Sequence, residues 1–153
     1  MAPFLLAEGV CYNTDVVRAD GFEEIEHTAD CALRVWGRDL GQLLVNAALG
    51  LAALLIPERQ RVADHVERPF VVQAGDAETL LVEWLSELLY WAEVDLLVFQ
   101  EFVQAEASST RFEVLARGGH VPGLRRHIKA VTYHNLAITR VNDSLQATVV
   151  FDV

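Results

Sequence analysis

Two leucine-rich runs place their apolar residues at helical spacing, and this pattern constrains the fold more than any other feature of the chain. The first run follows Asp39, has Gln42 three residues later and stops at Pro57. An Asp with a Gln three positions on is typical of a helix N-terminus, and proline ends a helix. The second run follows Asp76 and predicts a helix over residues 77–93. The apolar stripes contain Leu40, Leu43, Leu44, Ala47, Ala48, Leu51, Leu54 and Leu55 in the first run, and Leu80, Leu81, Trp84, Leu85, Leu88 and Leu89 in the second.

Most other segments have the alternation of apolar and polar residues that is typical of half-buried β-strands. Pro69 lies inside one of them and favours an edge strand or the start of a strand. Turn residues at 142–144 separate the last two segments and predict a β-hairpin, and residues 118–123 are predicted to form a loop. The sequence therefore predicts an α+β fold, a single compact domain with two helices packed on a mixed β-sheet that ends in a β-hairpin. The predicted strands cover residues 31–36, 68–72, 97–105, 110–116, 128–139 and 145–151.

The chain is strongly acidic. Its 153 residues include 22 Asp and Glu against 12 Lys and Arg, which gives a formal net charge of −10. Such a surface repels phosphate backbones, so we expect no tight direct binding to nucleic acid. The longest apolar stretch, residues 43–56, is shorter than the ~20 residues that span a bilayer, and no basic secretory signal begins the chain. We therefore expect a cytoplasmic protein with no membrane segment, in which Cys11 and Cys31 are reduced thiols.

A cluster of titratable residues at positions 26–30 directly precedes the first predicted strand. Glu26, His27 and Asp30 lie within five residues, with a threonine between them. A carboxylate at a strand edge can bind a cation or act as a base. The alternative interpretation is a turn or cap cluster in which the Asp30 carboxylate is only hydrated.

The last predicted strand ends in a second acidic group. If Phe151 faces the core, Asp152 faces the opposite side, because side chains alternate along a strand. Asp152 then lies beside the terminal carboxylate of Val153, and two adjacent anions repel each other unless a cation or a basic partner intervenes. Oxygen ligands of this kind favour calcium or magnesium. The alternative is a frayed terminus with two hydrated charges.

Three further groups have both a functional and a plain interpretation. His134 could act as an acid or base near neutral pH, or could be an ordinary strand histidine. Lys129 and the basic residues at 125–127 could hold a phosphate, or could form salt bridges. Glu83 and Glu87 share one helix face and could bind a metal or a basic partner, or could be solvated. The sequence has no phosphate-binding loop, dinucleotide fingerprint, nucleophile elbow or zinc-protease motif.

Four blocks resemble, in this order, the archease family of small acidic proteins that assist the RtcB-type RNA ligase. The blocks are EHTAD at 26–30, ETLLVEWLSELLY at 78–90, IKAVTYH at 128–134 and VVFDV at 149–153. The resemblance assigns residues 21–153 to an archease-like domain. It does not cover residues 1–20, which we expect to be a flexible N-terminal extension.

The resemblance implies a function as a partner protein rather than as an enzyme. Archease proteins promote guanylylation of the ligase's active-site histidine by GTP and allow multiple turnover, and the ligase acts in tRNA splicing and RNA repair. An alternative that the family implies is a chaperone-like adaptor that modulates a tRNA-modifying methyltransferase. The residues alone leave open a metal-dependent hydrolase that uses Asp30, Asp152 and His134, although no nucleophile accompanies them.

The resemblance also implies which residues form the site. The family's metal site corresponds to Asp30, Asp152 and Val153, the last through its carboxylate or carbonyl, with calcium or another divalent cation as the cofactor. A site shared by Asp30 and Asp152 requires their strands to be neighbours in the sheet. The residues that match family motifs and are candidate contacts for the partner are His27, Lys129 and His134.

Overall fold

The computed structural model describes residues 21–26, 30–57 and 62–153 of the chain. The predicted extension at residues 1–20 and the predicted partner contact His27 lie outside these residues. The described elements, in chain order, are β1 (Phe22–Glu26), β2 (Cys31–Gly37), α1 (Leu40–Leu55), β3 (Val66–Gln73), α2 (Ala77–Asp95), β4 (Leu97–Ala107), β5 (Arg111–His120), β6 (Ala130–Val131), β7 (Thr139–Val141) and β8 (Ser144–Asp152).

Helix α1 begins and ends where its sequence predicts. Asp39 Oδ1 accepts a hydrogen bond from the backbone N–H of Gln42 at 2.8 Å, and the Gln42 side chain accepts one from the backbone N–H of Arg38 at 2.7 Å. These bonds satisfy backbone donors at the start of the helix that have no partner within it. The last helical residue is Leu55, two positions before Pro57.

Helix α2 is capped in the same way and packs against α1. Asp76 accepts a hydrogen bond from the Thr79 backbone N–H at 2.7 Å, and this bond holds the pKa of the Asp76 carboxyl below its usual value. Trp84 is fully buried, and its indole N–H donates to the Leu44 carbonyl at 2.9 Å. The apolar residues predicted for both stripes are buried, except that Leu40 is half-buried. The helical period therefore identified the inward faces correctly.

The strands form two sheets in which all described pairs are antiparallel. One sheet has the order β1-β2-β8-β6, with β7 also paired to β8, and the other has the order β3-β5-β4. The α+β class, the two helices and the terminal hairpin of β7 and β8 are confirmed. The strands divide between two sheets because α1 carries the chain from β2 to β3, which begins the second sheet. As predicted, Pro69 lies on an edge strand, β3.

The predicted long strand at residues 128–139 is wrong. The chain forms only the short strands β6 and β7 there, with a turn between them in which Asn135 has a left-handed φ of 52°. The reason is that β8 pairs with this part of the chain only near its two ends. The loop predicted at residues 118–123 is also partly wrong, because β5 continues to His120.

The core lies between the helices and the two sheets. On the side of the three-stranded sheet, the Trp84 ring meets Phe70, Phe102 and Phe112 edge-on at centroid distances of 5.6, 5.7 and 5.0 Å. Edge-to-face contact is a favoured arrangement of aromatic rings. On the other side, α1 packs against β2 and β8, where Phe151 is fully buried. Neither helix in the described part of the chain is long and apolar enough to cross a membrane.

Candidate functional site

The pairing of β2 with β8 brings two predicted site residues together. Cys31 is paired with Phe151, so Asp30, one residue before Cys31, and Asp152, one residue after Phe151, lie at opposite positions at the end of this antiparallel pair. Cys31 and Phe151 belong to the core, and alternation along β8 turns the Asp152 side chain to the other face of the sheet. The two strands are therefore neighbours, as a shared site requires.

We call the group formed by Asp30, Asp152 and Val153 the acidic tip. Asp152 and Val153 are exposed and Asp30 is partly exposed, so the tip is open to solvent. Its donors are oxygen atoms, the ligand type that calcium and magnesium prefer. Among the described residues, no group of three or more His, Cys, Asp or Glu side chains could hold a metal ion. The residues of the tip that could hold such a cation are Asp30 and Asp152, through their carboxylates, and Val153, through its oxygens.

Lys129 directly precedes β6 and lies next to the acidic tip, and the chain then leads away from the tip toward His134. The Lys129 backbone N–H donates to the Asp152 carbonyl at 2.7 Å. Thr132 instead donates to the carbonyl of Val150, through its backbone N–H at 3.0 Å and its hydroxyl at 2.9 Å. His134 follows in the turn, where its backbone N–H donates to Thr132 Oγ1 at 3.3 Å. Lys129 therefore borders the tip, and no contact within the described part of the chain joins His134 to it.

Arg126 links β1 to Cys31, the first residue of β2 and the one that follows Asp30. Its Nη1 lies 2.8 Å from Glu24 Oε2 and 2.9 Å from Cys31 Sγ, so it joins β1 to β2. The hydrogen bond to Glu24 raises the pKa of the Arg126 guanidinium. Burial raises the pKa of the Cys31 thiol, so the thiol next to Asp30 stays protonated at neutral pH. Arg126 is thus a support for the tip rather than a free cation.

The neighbours of Arg126 are also engaged within the molecule. Arg125 donates to the carbonyl of Ala53 at 2.6 Å, near the end of α1. His127 Nδ1 lies 3.1 Å from Glu93 Oε1 on α2. Of the two interpretations of this basic segment, the structure supports intramolecular pairing, because a phosphate would have to displace these contacts. Through Arg125 and His127, the segment contacts the C-terminal ends of both helices and lies just before the residues that border the tip.

Residues 22–153 match the sequence model of the archease protein family (MTH1598/TM1083). The chain belongs to the archease family. Archeases from Methanosarcina barkeri and Methanopyrus kandleri are 33% and 35% identical to it over 145 and 139 residues. These alignments cover 86% of this chain in both cases, and 95% and 99% of the two relatives.

Two solved structures are similar to this archease-family fold. The solution structure of Methanobacterium thermoautotrophicum protein 1598 has a TM-score of 0.66 and 25% identity, and the match covers 88% of this chain and 99% of that one. The crystal structure of an archease from Thermotoga maritima, described as a possible chaperone, has a TM-score of 0.59 and 23% identity, with coverage of 86% and 96%. The second likeness shows the shared fold alone.

Strand β1 and the Glu24–Arg126 ion pair are the parts of this archease-family site that the sequence does not predict. β1 contains three Glu among its five residues, and Glu has a low preference for strands. The pairing with β2 compensates, since Phe22 lies opposite Val35 and Glu23 forms an ion pair with Arg34. No local pattern relates Glu24 to Arg126, because only the fold brings these distant positions together.

Proposed function

We propose that this protein is a non-enzymatic cofactor of an RtcB-type RNA ligase, which promotes guanylylation of the ligase's active-site histidine by GTP and allows multiple turnover. The ligase would use this assistance in tRNA splicing and RNA repair. The observation that supports the proposal is the acidic tip. Strands β2 and β8 are paired, so Asp30, which precedes β2, and Asp152, which ends β8, lie at the same end of the sheet, and the Lys129 backbone N–H bonds to the Asp152 carbonyl.

The tip has the chemistry of a partner-facing acidic group. Asp30 and Asp152 would hold a divalent cation, calcium, together with an oxygen of Val153, and Lys129 would set the local charge beside them. When bound, the cation would supply positive charge for phosphate oxygens of a nucleotide. In this proposal the β2–β8 pairing positions the two carboxylates. The hydrogen bond from Arg126 to Glu24 helps to hold the neighbouring strand β1 in place.

The charge of the chain suits such a partner. A formal net charge of −10 attracts the cationic surface by which a ligase binds RNA, and electrostatic attraction of this kind raises the association rate. His134 and His27 are also proposed as partner contacts, because both match motifs of the family. His27 lies outside the described residues.

The experiment that tests the proposal is single-turnover guanylylation of the ligase from the same organism, with labelled GTP, with and without this protein. We expect clear acceleration by the natural protein and little by Asp30→Asn or Asp152→Asn. The matched control is Asp143→Asn, which removes an exposed carboxylate at the opposite end of β8. Equal acceleration by all four proteins would show that the tip is not the active element, and no acceleration by the natural protein would refute the proposal.

A chaperone-like adaptor of a tRNA-modifying methyltransferase is the second candidate, because the Thermotoga maritima archease is described as a possible chaperone. An adaptor of this kind would suppress aggregation of the methyltransferase and would retain this effect in Asp152→Asn. The cofactor function instead depends on Asp152. The same variant therefore separates the two functions.

A further inference from the structure

Helix α2 presents an exposed stripe that the acidic tip does not use. Glu83, Glu87, Tyr90 and Val94 are spaced at three and four residues and so lie on one helix face, and all four are exposed. Tyr90 and Val94 are 54% and 65% exposed, so this face presents two large apolar side chains to solvent. We call these four residues the α2 stripe.

The aromatic part of the α2 stripe is held in place by its neighbours. The Tyr90 ring packs edge-on against Trp91 at a centroid distance of 5.4 Å. The Arg68 guanidinium lies 4.1 Å from the Trp91 ring centroid, and the Trp91 indole N–H donates to Glu87 Oε2 at 3.2 Å. A side chain that is already ordered loses little conformational entropy when a partner covers it. Tyr90 is therefore suited to act as an anchor in an interface.

The charge of the α2 stripe defines the kind of partner that fits it. Glu83 and Glu87 are both exposed, and Glu87 accepts the Trp91 hydrogen bond through one carboxylate oxygen, so the stripe presents two acidic side chains to a partner. A tyrosine ring face attracts a cation, and two nearby carboxylates add to that attraction. An apolar side chain would cover Val94. The complementary surface is thus a protein surface with Lys or Arg around an apolar residue, whereas a nucleic acid backbone would be repelled.

A chain of contacts leads from the C-terminal end of the α2 stripe to the acidic tip. Glu93, next to Val94, contacts His127 at 3.1 Å between Oε1 and Nδ1. His127 is two residues before Lys129, a stretch of chain that spans at most about 7 Å. The Lys129 N–H in turn donates to the Asp152 carbonyl at 2.7 Å. The C-terminal half of the stripe therefore lies at the same end of the molecule as the tip.

We infer that the α2 stripe is a second contact for the partner that the acidic tip engages. The stripe would increase the affinity by binding a patch of that partner in which Lys or Arg residues surround an apolar residue. The inference rests on the proposed function for the identity of the partner, the RtcB-type ligase. It assigns different tasks to two surfaces, since the tip changes the rate of the reaction and the stripe determines how tightly the proteins bind.

The test is a titration of the protein against a fixed concentration of ligase, in which the initial rate of guanylylation gives a half-saturating concentration and a maximal rate. We expect the double variant Tyr90→Ser, Val94→Ser to raise the half-saturating concentration at least about tenfold with the maximal rate unchanged, because exposed aromatic anchors dominate interfaces. The double variant Glu83→Gln, Glu87→Gln should raise the half-saturating concentration by a smaller factor. It should also weaken the dependence of that concentration on salt. Asp152→Asn should instead lower the maximal rate.

The matched control is Val71→Ser, which alters a valine of 51% exposure on β3 of the other sheet. This control should change neither quantity. Half-saturating concentrations within twofold of the natural protein for both stripe variants, or an equal rise for Val71→Ser, would overturn the inference. So would a change of the oligomeric state of the protein alone in the Tyr90 variant, since the stripe would then contact a second copy of the chain.

The two proposals fail in different ways. If the natural protein does not stimulate the ligase, the proposed function is refuted, and the dissociation constant of the complex, measured by fluorescence anisotropy, replaces the kinetic readout. A dissociation constant that rises in the stripe variants would then uphold the inference by itself. An absence of binding would overturn both proposals.

Discussion

The indole N–H of Trp84 donates a hydrogen bond of 2.9 Å to the backbone carbonyl of Leu44. The bond joins α2 to α1 inside the core, where Trp84 is fully buried and meets three phenylalanine rings. A buried N–H without a partner would cost free energy, so this bond fixes how the two helices are aligned along each other.

Trp84→Phe should lower the free energy of unfolding by about 2–3 kcal/mol, because it removes the hydrogen bond and leaves a cavity in the core. Urea unfolding with linear extrapolation measures the change. Trp91→Phe is the matched control, since that ring is only half-buried and its N–H donates to Glu87 at the surface, and it should cost below about 1 kcal/mol. Equal losses in the two variants would contradict the assigned position of Trp84.

Gly118→Ala should disrupt the pairing of β4 with β5. A Cβ at Gly118 would lie 2.0 Å from the Val98 carbonyl oxygen, and backbone cannot move aside without breaking the ladder. We expect a loss of at least about 2 kcal/mol in the free energy of unfolding, measured in urea. Gly123→Ala is the control, because nothing lies within 4 Å of the position that a Cβ would take there. A Gly118 variant as stable as the Gly123 variant would show that β5 does not run this close to β4.

His120 is held between two carboxylates near the end of α2. Its Nδ1 lies 2.7 Å from Asp64 Oδ2 and its Nε2 lies 3.2 Å from Asp95 Oδ2. The hydrogen bonds to these carboxylates raise the pKa of His120, and the His120 backbone and ring lower the pKa of Asp64. Because the pKa of His120 is higher in the folded state than its unfolded value of 6.5, the protonated ring stabilises the fold below pH 6.5. This stabilisation is lost as the pH rises through the folded pKa.

The pH dependence of unfolding tests this arrangement. The Asp64 contribution is present above its unfolded pKa of 3.8 and is lost as the pH falls through the folded pKa, so both contributions are present between 3.8 and 6.5. His120→Gln should therefore lower the unfolding temperature more at about pH 5.5 than at about pH 8.5. Asp95→Asn should act in the same direction and add little in the His120→Gln background. An equal decrease at both pH values would indicate a packing role instead.

Calcium should raise the unfolding temperature of the natural protein if the acidic tip holds the ion. A ligand that binds only the folded state at 100 times its dissociation constant stabilises it by about 2.7 kcal/mol. Asp152→Asn should abolish the shift, and Asp143→Asn, at the far end of β8, should retain it. Thermal unfolding with calcium and then with excess chelator gives the comparison. An equal shift in both variants would place the ion elsewhere.

Local sequence was sufficient for the parts of the fold that depend on neighbouring residues. Asp39 and Asp76 cap the predicted helices, Pro69 lies on an edge strand, and the hairpin turn at 142–144 joins the last two strands. Local sequence was insufficient at residues 128–139, which are rich in β-forming residues. The middle of this segment forms a turn, because β8 pairs only with residues near its two ends. A residue's preference for a strand cannot show whether a neighbouring strand is present to receive it.

The sequence by itself determined the two helices with their buried faces, the acidic charge and the residue types at both ends of the domain. Helical period, capping side chains and charge act over a few residues, so the chain encodes them locally. Only the tertiary structure decided that Asp30 and Asp152 lie at the same end of the sheet, that Arg126 binds Glu24, and that His127 contacts Glu93 near the end of α2. These relationships follow from strand register and helix packing, which depend on how all the buried surfaces fit together at once.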